Sequence, residues 1–223
     1  VRHIPLSSVK PTKKQVSPVS LLVMDKKIIW SDRQHHQLCA SRIDDGITLD
    51  CWGGKGEADG EFNYPYQLVS DKQDYIFAVD VLNARVQAFS PKGKHFMNIG
   101  RFGVDATGTL FRPNGLALKE GDELLISDAY LGTISVFKNG RSHGLLTNGD
   151  AENLNFESPV SLTLHKDRLY VSDALNNSIE IFKLKDTEPG TTAGKTTAKP
   201  QPGGSQKNCI SCHISWADNY API

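Results

Sequence analysis

The run Ile76-Phe77-Ala78-Val79-Asp80, followed by Arg85-Val86-Gln87-Ala88-Phe89, decides the fold, because its plan returns three more times in the chain. The first half has counterparts in Ile28-Ile29-Trp30-Ser31-Asp32, Leu125-Ile126-Ser127-Asp128 and Leu169-Tyr170-Val171-Ser172-Asp173. The second half returns as Thr133-Ile134-Ser135-Val136-Phe137 and Ser178-Ile179-Glu180-Ile181-Phe182. Apolar and polar residues alternate, which is the period of a strand buried on one side. A proline stands ahead of each copy, at Pro18, Pro65, Pro113 and Pro159. Prolines and aspartates both keep a period of about 45 to 48 residues.

A period of that length, built of short strands, implies a four-stranded antiparallel propeller blade. Asp44-Asp45-Gly46, Pro91-Lys92-Gly93 and Asn139-Gly140 stand where a third strand must turn back into a fourth. The expected fold is all-β, a β-propeller of about four blades. The last copy stops at Leu184 after three strands, and Arg2-His3-Ile4-Pro5-Leu6 is a candidate for the missing strand. A closed ring and an open arc of blades are both compatible with these ends.

At this point the residues resemble a known family. Tyr64-Pro65 with Ala78-Val79-Asp80-Val81-Leu82-Asn83-Ala84-Arg85-Val86-Gln87-Ala88-Phe89, then Gly93 and Gly100-Arg101-Phe102-Gly103, is similar to an NHL repeat, and Tyr170 to Ile179 is a second such copy. The first copy carries His35-His36 where the Asn-x-Arg of the family stands. The resemblance spans roughly residues 18 to 184 and implies a propeller, usually of six blades in that family, where four are legible here.

Beyond Leu184 the composition changes. Three segments are expected: the propeller over 1–184, a Thr-, Pro- and Gly-rich linker over 185–207, and a short tail over 208–223. The tail contains Cys209-Ile210-Ser211-Cys212-His213, the C-x-x-C-H spacing of covalent haem attachment. On this reading Cys209 and Cys212 form thioethers to one heme c and His213 is the proximal iron ligand. A redox dithiol and half of a zinc site share the spacing and compete with it. His36 or His35 is the first candidate for the distal ligand, with His3, His95, His143, His165, Met24 and Met97 also eligible.

The resulting expectation is an electron-transfer protein rather than an enzyme. The propeller would serve as scaffold, with cytochromes or neighbouring copies of the chain covering the haem. The alternatives are a propeller enzyme, lyase or lactonase-like and metal-dependent, or a pure protein-binding module. Cys39 and Cys51 flank the Asp44-Asp45-Gly46 turn symmetrically and are expected to form a cross-strand disulfide, with two free thiols as the other reading. The haem motif, the disulfide and an initial Val in place of Met suggest a periplasmic or extracellular protein.

Composition narrows the partners. The chain has 223 residues, 39% apolar, with 25 Lys and Arg against 25 Asp and Glu. Net neutrality gives no electrostatic pull towards nucleic acid. No apolar run is long enough for a membrane-spanning helix.

Overall fold

Each proline of the repeat lies directly opposite its aspartate. Pro18 pairs with Asp32, Pro65 with Asp80, Pro113 with Asp128 and Pro159 with Asp173, and in every copy the register shifts just after the proline. Proline brings no N–H to the ladder, so the regular pairing is interrupted at the start of the first strand.

The computed structural model describes Leu6 and residues 15–104, 107–120, 122–148 and 152–184. Blade 1 consists of β1 (Pro18–Met24), β2 (Lys27–Asp32), β3 (Gln37–Arg42) and β4 (Thr48–Gly53). Blade 2 follows with β5 (Pro65–Ser70), β6 (Ile76–Asp80), β7 (Arg85–Phe89) and β8 (His95–Ile99). A short parallel pair, β9 (Arg101–Phe102) and β10 (Thr109–Leu110), leads to blade 3: β11 (Pro113–Lys119), β12 (Glu123–Asp128), β13 (Thr133–Lys138) and β14 (Arg141–Leu145). Blade 4 has three strands, β15 (Pro159–His165), β16 (Arg168–Asp173) and β17 (Ser178–Lys183). All pairing within the blades is antiparallel between sequence neighbours. The described residues thus form an all-β propeller of four blades.

Alternation along the second strand assigns the two faces of each blade. Side chains one and three positions before the aspartate face the next blade, and those two and four before it face the preceding one. Ile29 of blade 1 therefore shares a buried core with Ile76 and Ala78 of blade 2, Val79 of blade 2 with Leu124 and Ile126 of blade 3, and Leu125 of blade 3 with Leu169 and Val171 of blade 4. Three buried cores join the four blades, and each fully buried aliphatic side chain in them contributes about 1.5–3 kcal/mol. The innermost strands approach closely at Gly115, where a Cβ would lie 2.8 Å from the Leu162 nitrogen. Any other residue there would push blades 3 and 4 apart.

Among the described residues no core joins blade 4 to blade 1. Leu21 and Val23 of blade 1 are 60% exposed and Ile179 of blade 4 is 58% exposed. The candidate closing strand lies outside the described residues except for Leu6. The expected linker and tail, with Cys209, Cys212 and His213, also lie outside them. No helix among the described residues is long and apolar enough to cross a membrane.

Candidate functional site at the aspartate ends of the blades

The repeated aspartates are buried acceptors for backbone. Asp32 accepts the N–H groups of Ser17 at 3.0 Å and Gln34 at 3.1 Å, and Asp80 that of Asn63 at 2.6 Å. Asp128 takes Phe111 at 2.6 Å with Arg112, Tyr130 and Leu131, and Asp173 takes Glu157 at 2.9 Å and Ser158 at 2.8 Å. Each carboxylate thus ties the segment ahead of its proline to the end of the second strand, and in blades 1, 3 and 4 also to the backbone of the turn that follows. Burial pushes the Asp80 carboxyl up, against the pull of Asn63, Asn83 and Arg85. Burial also acts upward on Asp173, but the N–H groups of Glu157, Ser158 and Asn176 outweigh it and hold that carboxyl below its ordinary value.

The third residue after the aspartate completes the device. Asn83 donates to Asp80 at 2.8 Å, and Asn176 to Asp173 at 2.9 Å. In blade 1 the same place is held by His35, whose Nδ1 lies 2.6 Å from Asp32 Oδ2. Asp32 is already an acceptor for two amides, so the ring nitrogen is the donor. In the neutral ring that fixes the lone pair on Nε2. Nε2 is enclosed and has no hydrogen-bond partner among the described residues. An amide would have ended its chemistry at the carboxylate; an imidazole keeps a second nitrogen behind it.

His36, the next residue, has φ of 56°, like Ala84, Gly132 and Asn177 at the equivalent positions of the other blades. Its Nδ1 accepts the N–H of Tyr64 at 3.1 Å, and the two rings meet edge to face at 5.2 Å. Tyr64 is itself at φ of 67°. The contact latches blade 1 to the segment entering blade 2. Burial lowers the His36 pKa and Lys55 lowers it further, while Asp80 and Asp32 act in the opposite sense. The ring is neutral at neutral pH.

The structure thus places His35 and His36 on one turn, with Asp32 and Tyr64 as their partners. Histidines from other blades do not join them: among the described residues no group of three or more His, Cys, Asp or Glu is placed to hold a metal ion. His95 instead hydrogen-bonds Asn98 at 3.0 Å, and Met24 and Met97 pack against the inter-blade cores. The pairing of His35 with Asp32 is not among the expectations above, though the alignment of His35 with Asn83 and Asn176 in the repeat carries its signal. Cys39 and Cys51 face each other in β3 and β4 and form the expected disulfide. The heme c expectation, made for Cys209, Cys212 and His213, is corrected by this bond: the cysteines among the described residues stand as a disulfide, with no free thiol to form a thioether. Cys209, Cys212 and His213 lie outside the described residues.

No family model matches the chain. Solved structures do. The computationally designed Ika4 protein aligns with a TM-score of 0.54 at 12% identity, over 82% of this chain and 97% of its own. A catalytically inactive virginiamycin B lyase from Staphylococcus aureus, with quinupristin, gives a TM-score of 0.54 at 14% identity, covering 84% of this chain and 62% of the lyase. A Bacteroides thetaiotaomicron protein of unknown function gives a TM-score of 0.61 at 11% identity, over 74% of this chain and 47% of that one. The chain therefore spans less than two thirds of the lyase's length.

The expectation of an electron carrier that is not an enzyme is overturned together with its cofactor. The described cysteines are spent in a disulfide, and the fold is shared with a lyase. At these identities the likeness establishes the fold alone: the described residues form an all-β propeller of four blades, an architecture shared with virginiamycin B lyase.

Proposed function

We propose that the chain is a propeller enzyme of lyase or lactonase type with His35 as its general base. The observation that carries this is the orphaned His35 Nε2, with Asp32 2.6 Å behind the opposite ring nitrogen. A buried carboxylate that fixes the tautomer and stabilises the imidazolium is the arrangement a general base needs. In an elimination, Nε2 takes a proton from carbon, the C–H electrons form the new double bond, and the leaving oxygen departs with the C–O electrons. In ester hydrolysis the same nitrogen takes a proton from the attacking water. Such proton transfer supplies roughly 10²–10⁴-fold in rate. Reaching Nε2 requires the turn at 33–36 to give way, and Arg33 and Gln34 on it are exposed.

The blades read as NHL type, supported by the joint grip of Asn83 and Arg85 on Asp80. The Cys39–Cys51 disulfide supports an oxidising, exported setting.

The test uses quinupristin and a panel of lactones and aryl esters, with products followed by mass spectrometry. His35→Asn should keep the Asp32 hydrogen bond, as Asn83 and Asn176 do in their blades, and abolish turnover. Turnover that survives His35→Asn removes His35 as base. Absence of turnover of every compound by the unaltered chain overturns the enzyme reading.

A further inference from the structure

At the opposite ends of the strands from His35, blades 2 and 3 part and leave a cavity of about 510 Å³. That volume is within the range of small-molecule sites. Its wall is apolar and aromatic, with Phe77, Phe96 and Met97 from blade 2 and Leu118 and Phe137 from blade 3. Tyr75 and Phe96 meet edge to face at 5.2 Å, and both rings are substantially exposed. Neither is needed to fill a blade core, yet together they extend the apolar wall outwards.

The charges around this wall do not cancel. Lys72 pairs with Glu120 at 3.1 Å and Lys119 with Glu123 at 3.6 Å, so these four neutralise one another. The charged lining residues are Asp71, Asp122 and Lys94. Asp71 is held in place by accepting the N–H groups of Gln73 at 2.9 Å and Tyr75 at 2.8 Å. Asp122 stands on the exposed turn before β12 at φ of 63°. Two carboxylates against one ammonium leave an excess of negative charge beside an aromatic wall. We propose that this cavity is a second binding site, for a small hydrophobic amine whose apolar body lies against Phe96 and Phe137 and whose ammonium group meets Asp71 and Asp122.

Matched dansyl probes test this with the intact chain, using cationic dansylcadaverine and anionic dansylglycine in fluorescence titrations. Dansylcadaverine should bind one saturable site with blue-shifted emission, and dansylglycine should bind about tenfold more weakly or worse. Phe96→Ala, at an exposed position, should weaken dansylcadaverine about tenfold without lowering the unfolding midpoint. Asp122→Asn should narrow the gap between the two probes, because Asn adopts the same positive φ without the charge. Equal affinity for both probes overturns the amine assignment, and dansylcadaverine binding unchanged by both substitutions overturns the site.

Discussion

Gln67 and Leu162, 95 positions apart, exchange two hydrogen bonds between the innermost strands of blades 2 and 4: Gln67 Nε2 donates to the Leu162 carbonyl at 2.7 Å, and its Oε1 accepts the Leu162 N–H at 3.3 Å. The same Nε2 donates to the Leu116 carbonyl of blade 3 at 2.8 Å, and the Ser161 hydroxyl donates to Oε1. One amide thus clamps three blades. Gln67→Leu strips these backbone groups of their partner and should lower stability by about 1–3 kcal/mol. Urea denaturation checks it: the midpoint should fall with an unchanged slope.

The Cys39–Cys51 disulfide closes a short loop with a sequence separation of 12. Replacing both cysteines with Ser should cost about 2–4 kcal/mol, and the unfolding free energy of the unaltered chain in reductant should fall by the same amount. Unfolding that is insensitive to reductant would count against a structural role for the bond.

His36 titrates with the fold. Its folded pKa lies below the ordinary 6.5, so the folded state binds fewer protons than the unfolded chain between the two values. Stability is therefore complete above pH 6.5 and is lost as pH falls through the folded value. His36→Asn should flatten this limb of a stability profile against pH, since Asn177 shows that Asn fits the same turn geometry.

Asp173 gives a second, lower limb. Its folded pKa is depressed below 3.8, so its contribution is present above that value and disappears as pH falls through the folded one. Asp173→Asn should cost about 1–3 kcal/mol at neutral pH, and the difference from the unaltered chain should shrink in acid. Chemical denaturation at a series of pH values measures both limbs.

The blade plan was legible because each blade is a local object. Pro65 and Asp80 oppose each other within one hairpin, so their spacing survives as a repeat in the sequence. The same locality made the Cys39–Cys51 pairing readable, since both residues flank one turn. His35 was visible as an unusual residue but not as the partner of Asp32, because His and Asn share little beyond a donor three positions after the aspartate. The heme c expectation arose from Cys209, Cys212 and His213, outside the described residues, while the structure bonds the remaining two cysteines to each other.

Hydrophobic alternation and turn chemistry act over a few residues, so the strands, their turns and the blade repeat are written along the chain. How the blades meet is not. Gln67 finds partners at separations of 49 and 95 residues, and the cavity between blades 2 and 3 is walled by side chains of two separate sheets. Neither leaves a periodic trace, because contacts between blades depend on how one packed sheet sits against the next rather than on spacing along the chain.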